Sequence, residues 1–151
     1  MKKTVLAIVL ASLSNFAVAS GSGAHWGYEG EEAPENWGKL DPHYSLCSEG
    51  KNQTPIDIKN TLDAEKPYIK FNYQDNGTEV INNGHTIQVN FQPGSTMVYR
   101  GTTYNLKQFH FHNPSENTIE GKSFPMEAHL VHADDKGNLA VIGVMFDIGK
   151  S

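Results

Sequence analysis

The stretch Tyr104-Asn105-Leu106-Lys107-Gln108-Phe109-His110-Phe111-His112 alternates polar and apolar side chains, and this alternation constrains the fold more than any other feature of the chain. A period of two belongs to a β-strand, whose successive side chains point to opposite faces. Gln108, His110 and His112 then share a face, with Leu106 at the same parity, while Phe109 and Phe111 turn toward a core. From Ile56 onward similar short runs recur at 67–73, 78–82, 86–92, 96–100, 103–112, 115–119, 125–133 and 139–146. Asn76-Gly77, Asn83-Gly84, Pro93-Gly94 and Lys136-Gly137-Asn138 separate them, each carrying residues that accept turn dihedrals at low cost. Connections this short join antiparallel neighbours, because a parallel crossover needs a dozen or more residues. The predicted fold is mainly β: a central, mostly antiparallel twisted sheet with little helix. Residues 20–54 are rich in Gly, Ser, Pro, Asn and Glu around Trp26, Tyr28 and Trp37, and read as irregular backbone.

The N-terminus reads as an export address. Lys2 and Lys3 precede the apolar run Val5–Ala11, and Ala17-Val18-Ala19 supplies the small-x-small pattern at which a signal peptidase cuts. That run is too short to span a bilayer, which takes about 20 apolar residues, and no later stretch is long and apolar enough. The expected organisation is a signal peptide over 1–19 and one domain over 20–151, in a periplasmic or secreted protein. The net charge of −5 and the lack of Lys/Arg clusters argue against a nucleic-acid partner, since phosphate binding needs a basic surface. In an oxidising compartment the single cysteine, Cys47, calls for explanation: a partner in another chain, a reactive thiol, or a partner on a segment outside this sequence.

Histidines carry the chemistry. Two imidazoles about 7 Å apart on one strand face can converge on one ion, although His-x-His alone also suits a solvent-facing strand. A second run, Met126-Glu127-Ala128-His129-Leu130-Val131-His132, places Glu127, His129 and Val131 on one face and His132 on the other. If it pairs antiparallel with 103–112, His129 sits across from His110 and His112. A three-histidine set with one open tetrahedral position is the arrangement of catalytic zinc. Gln108 and Glu127, on the same faces, are candidates to bind the second ring nitrogens and hold the tautomers.

These residues resemble the α-class carbonic anhydrases. The resemblance lies in Gln108-Phe109-His110-Phe111-His112, Ser115-Glu116-Asn117-Thr118 and Glu127-Ala128-His129-Leu130-Val131-His132. It extends through His25-Trp26-Gly27-Tyr28, Gln53-Thr54-Pro55-Ile56-Asp57-Ile58, Asn82-Asn83-Gly84-His85 and Leu139-Ala140-Val141-Ile142-Gly143. It covers residues 25–149 in the family's order, with the flavour of its bacterial, exported branch. It implies zinc-dependent reversible hydration of carbon dioxide to bicarbonate and a proton, by attack of zinc-bound hydroxide. On this likeness His110, His112 and His129 are the zinc ligands and His85 is the proton shuttle. Glu116, which residue pattern alone reads as an exposed strand carboxylate, matches the glutamate that orients a threonine hydroxyl. Val131, Leu139 and Val141 match the apolar substrate pocket, where core packing is the plain alternative. Tyr28 and Gln88 match the polar side of the cleft, with Asn90 beside Gln88, and His25, His43 and His132 are left to surface or structural roles.

The family's domain continues beyond the strand at 139–146, so the chain is expected to be its N-terminal portion. The threonine partner of Glu116 and a cysteine partner for Cys47 are expected in the continuation. On its own the chain is expected to be aggregation-prone, because a sheet lacking strands exposes unpaired edges and apolar faces. The implied partner is the small molecule CO2/bicarbonate, and the oligomeric state stays open, a dimer of the full-length protein included. Two further alternatives are a non-catalytic binding module on the same fold, or an inactive fragment. Loss of a zinc histidine would favour the module, and all three are present. A hydrolase of the His-Glu-x-x-His type lacks its motif here.

Overall fold

The computed structural model describes residues 24–149, and the export address expected at 1–19 lies outside them. Within the span read as one domain, the described residues form two compact units divided after Glu49.

The first unit, 24–49, is not the irregular backbone expected of it. It is a succession of single helical turns, three of them 3-10 (Gly30–Glu32, Pro34–Asn36, Pro42–Tyr44) and two α-helical (Trp37–Leu40, Leu46–Glu49). Pro34 and Pro42 each open a turn, where the missing N–H has no partner to lose. The Asp41 carboxylate accepts from the His43 backbone N–H at 2.8 Å. No element is long enough to show a helical period, which is why composition alone reads as loop. Trp26, Tyr28 and Trp37 pack edge to face with centroids 5.1–5.9 Å apart, and the Trp37 indole N–H donates to the Gly27 and Glu32 carbonyls.

The second unit holds a large antiparallel sheet and, separate from it, a short two-stranded one. Its strands are β1 (Asp57–Ile58), β2 (Lys70–Asn72), β3 (Gly77–Asn82), β4 (Ile87–Phe91), β5 (Thr96–Tyr99), β6 (Thr102–His112), β7 (Thr118–Ile119), β8 (Met126–Ala133) and β9 (Leu139–Phe146). The long alternating strand β6 organises the rest. One of its edges takes β5 at Thr102–Asn105 and β4 at Gln108–His110, and the other takes β8 along Asn105–His112. β3 extends the sheet beyond β4, β2 beyond β5 and β9 beyond β8. The exception to antiparallel pairing is the short parallel pair β1–β7.

One parity expectation changes. Between Leu106 and Gln108 the β6–β8 register shifts, so that Leu106 faces His132 while Gln108 faces Val131. The extra residue, Lys107, is a bulge, and a bulge breaks the face alternation at the point where two polar residues, Lys107 and Gln108, adjoin in the sequence. Leu106 therefore leaves the histidine row and is buried with Met97 and His132. His132 is fully buried: its Nδ1–H donates to the Leu130 carbonyl, and its Nε2 accepts from the Tyr73 hydroxyl at 3.0 Å. Phe109 and Phe111, expected in a core, are half-buried in an aromatic row with Phe91.

Leu106 is 3% exposed, so Leu106→Ala is expected to destabilise the folded chain by about 2–5 kcal/mol through lost burial and the cavity left behind. Urea denaturation checks this as a lower midpoint at unchanged slope.

Candidate metal centre

β6 and β8 place His110 directly opposite His129, with Gln108 opposite Val131 and His112 opposite Glu127. Side chains directly opposed across an antiparallel pair share a face, so three imidazoles gather on one surface of the sheet. Their ring centroids lie 4.6–5.4 Å apart. One nitrogen from each ring falls within 4.8 Å of the other two.

Neighbouring side chains decide which nitrogens face inward. His110 Nδ1–H donates to Gln108 Oε1 at 2.9 Å, which leaves the Nε2 lone pair toward the cluster. His129 Nε2 lies 3.1 Å from Glu127 Oε1, which turns Nδ1 inward. His112 presents Nε2. Burial holds the His110 imidazole down to about 4, with the neighbouring His112 and His129 rings adding to the effect. Burial, then His129, also lowers His112, and Glu127 opposes them. Both rings are therefore neutral at pH 7, the state in which imidazole is a metal ligand.

Glu127 is 0% exposed. Its Oε2 accepts the backbone N–H groups of Glu116 and Asn117 at 3.0 Å, and its Oε1 accepts the Asn117 amide at 2.8 Å. Burial would raise its carboxyl, but the backbone and side-chain donors of Asn117, with His129, outweigh it and hold the group below the usual carboxylate range. Asn117 is itself tethered, its Oδ1 accepting the Ile56 N–H at 2.8 Å. On the next strand Gly143 faces His129. A Cβ there would stand 2.7 Å from Glu127 Oε1, so the carboxylate needs a bare backbone beneath it.

Glu116 departs from its expectation as an exposed strand carboxylate. The strand expected at 115–119 is confined to Thr118–Ile119, and residues 115–117 form a loop in which the Glu116 and Asn117 N–H groups serve Glu127 and that of Ser115 serves the Phe124 carbonyl. The loop turns the Glu116 carboxylate to the histidines, with Oε2 at 3.3 Å from His112 Nε2 and 3.8 Å from His129 Nδ1.

The other candidates fall around this cluster or apart from it. His85 lies in the Asn83–Thr86 turn, its N–H bound by Asn83 Oδ1. The adjacent Thr86 hydroxyl bridges both backbone groups of Phe111, tying that turn to the strand between His110 and His112. Gln88 faces His110 across β4–β6, and its amide donates to Asn90 Oδ1 at 2.7 Å. Val131 and Val141 oppose each other two pairs along from His129–Gly143, with Leu139 at the start of β9. Core packing does not describe Leu139 and Val141, which are 68% and 49% exposed, because among the described residues β9 pairs only with β8. Tyr28 and Cys47 belong to the first unit, and Cys47 is exposed there. His25 lies 3.0 Å from Glu32 and His43 2.7 Å from Asp41, both at the surface.

Asn117 and Gly143 are not among the residues singled out from the sequence. For Gly143 a signal exists, since an isolated glycine inside a strand pattern marks a close approach.

The donor set fits a metal ion: three converging imidazoles, two with their far nitrogens held, suit zinc, copper, iron or nickel. An antiparallel sheet that turns such a set to one face defines a metal-site β protein. Residues 32–151 match the family profile described as eukaryotic-type carbonic anhydrase. A carbonic anhydrase of Neisseria gonorrhoeae is 49% identical over 145 residues, covering 95% of this chain and 58% of that protein. One from Pectobacterium carotovorum is 47% identical over 147 residues, covering 97% of this chain and 60% of that protein. Among solved structures, the α-carbonic anhydrase of Thermovibrio ammonificans, in complex with the inhibitor sulfanilamide, superposes with a TM-score of 0.81 at 48% identity. It covers 85% of this chain and 57% of that one. The chain belongs to the α-carbonic anhydrase family and spans little more than half the length of these relatives.

The lowered His110 sets a pH dependence for the metal-free protein. Between pH about 6.5 and about 4 the unfolded chain takes up protons that the folded chain does not. Stability is present above this window and is lost as pH falls through it. Urea midpoints measured at pH 7.5, 6 and 4.5 without metal should decrease in that order.

Proposed function

We propose that the chain is part of an exported, zinc-dependent carbonic anhydrase that hydrates carbon dioxide reversibly to bicarbonate and a proton. The observation that carries this reading is the convergence of His110, His112 and His129, with one nitrogen of each within 4.8 Å of the others. A zinc ion held by those three nitrogens supplies the Lewis acidity that makes water a nucleophile at neutral pH. Neutral imidazoles leave the full ionic charge available for that purpose, and Gln108 and Glu127 hold the rings in the tautomers it needs.

The remaining residues divide the surroundings by polarity. Val131, Val141 and Leu139 form an apolar strip beside His129, suited to an uncharged gas. Gln88 and Asn90 border His110 and Gln108 with amides, suited to water and bicarbonate. His85 carries the proton away, since an imidazole can both accept and release one near neutral pH, and its turn is anchored to β6 through Thr86. Export rests on the address at residues 1–19.

Stopped-flow CO2 hydration by the purified, zinc-loaded protein tests this reading. Turnover blocked by a sulfonamide is the expected result, and zinc binding without turnover would favour the binding-module alternative. His129→Ala should remove zinc and activity together. His85→Ala should keep zinc and slow turnover by roughly tenfold or more, with added imidazole buffer restoring part of the rate.

A further inference from the structure

The first unit holds both tryptophans of the chain, Trp26 and Trp37, and both line one cavity. Its volume is about 210 Å³, and Tyr44 and Cys47 complete its walls. A water molecule takes about 30 Å³, and a pocket that encloses a drug-sized ligand about 300–1,000 Å³, so this cavity has the size for a head group. The two indoles meet at 72° with centroids 5.1 Å apart, and their planes make a corner. Tyr28 braces that corner by packing edge to face on both rings. The Trp37 indole N–H is held by the Gly27 and Glu32 carbonyls at 2.9 Å each. The aromatic walls are thus fixed in place by the protein's own contacts, which lowers the ordering cost of binding.

Two properties select the ligand. The walls are three aromatic rings and a thiol, so a compact, strongly hydrated ion would give up its water there for little return. A cation whose charge is spread over methyl groups loses less and gains from the ring faces. The unit is also acidic: residues 24–49 carry Glu29, Glu31, Glu32, Glu35, Asp41 and Glu49 against Lys39. Glu32 and Asp41 face His25 and His43 at 3.0 and 2.7 Å, and the other four carboxylates belong to exposed residues. Every lining residue has one of the six within three positions of it along the chain, a reach comparable with the about 10 Å over which charges act at 0.1 M salt. Such a field draws in cations and opposes anions. A lipid head group, whose phosphate accompanies its ammonium, is therefore disfavoured against a free cation. We propose that the cavity formed by Trp26, Trp37 and Tyr44 binds a small, free quaternary ammonium compound of the choline type. The site does not rest on the metal centre, and no covalent step is involved.

The cavity carries its own reporters, because the chain's two tryptophans and its single cysteine stand in the walls. The full chain, kept reduced and at fixed ionic strength, is titrated with choline, with the uncharged isostere 3,3-dimethyl-1-butanol and with phosphocholine, while tryptophan emission is recorded. The expected result is a saturable change with choline, and binding of the other two weaker by roughly fivefold or more. Saturating choline should also slow alkylation of Cys47 by iodoacetamide. No saturable change with choline, or an unchanged alkylation rate, would overturn the site. An isostere that binds within about twofold of choline would overturn the cation assignment, and phosphocholine binding as tightly as choline would overturn the choice of a free cation over a lipid head group. Tyr44→Leu removes one ring and should weaken choline by roughly threefold or more, whereas Tyr44→Phe keeps the ring and the affinity. Equal affinity in both variants would overturn the ring contact. Should Tyr44→Leu fail to fold by circular dichroism, the ligand series and the Cys47 alkylation on the unsubstituted chain still decide.

Discussion

The centre depends on one buried carboxylate. Glu127 has no exposed surface, and it accepts from two backbone N–H groups and one side-chain amide while lying against His129. An ionised group in that position is tolerable only because its donors are already in place. The same bonds do three jobs at once. They pin the 115–117 loop, they aim the His129 ring, and through the loop they bring Glu116 against the histidines. The tether from Asn117 to Ile56 carries the constraint on to the segment that enters β1. Losing the carboxylate would loosen ring, loop and neighbouring segment together.

β6 is the mechanical counterpart of that electrostatic anchor. It is paired along both edges, with β4 and β5 on one and β8 on the other. Two of the three imidazoles therefore sit on the part of the sheet least able to shift. The bulge at Lys107 divides the strand's surroundings into the histidine row from Gln108 onward and a packed region around Leu106 and His132. Histidine consequently serves two unrelated ends within one pair of strands: His129 offers a lone pair, whereas both nitrogens of His132 are consumed by Leu130 and Tyr73.

Much of this was legible in the sequence, for a physical reason. Alternation in 104–112 and 126–132 is a local property, and facing two such strands antiparallel leaves few ways to bring His129 near His110 and His112. Turn dipeptides likewise marked where the strands end. What stayed hidden is non-local or masked. The bulge at Lys107 leaves a trace in the adjoining polar pair Lys107-Gln108, but two neighbouring polar residues do not by themselves distinguish a bulge from a solvent-facing position. The inward turn of Glu116 follows from a loop whose shape is imposed by a carboxylate eleven residues away. The helical turns of 24–49 are each too short for any periodicity to register. The exposure of Leu139 and Val141 follows from β9 having one partner among the described residues, a matter of strand order and not of side-chain chemistry.

Gly143 has a consequence for anyone who would move this centre to another scaffold. The three histidines sit on two strands, and the obvious graft would carry β6 and β8 with their histidines, glutamine and glutamate. The Glu127 carboxylate, however, rests over the backbone of a third strand at a point where even a methyl group would intrude. The smallest portable version of the site is three strands wide, and its third strand contributes by having nothing there.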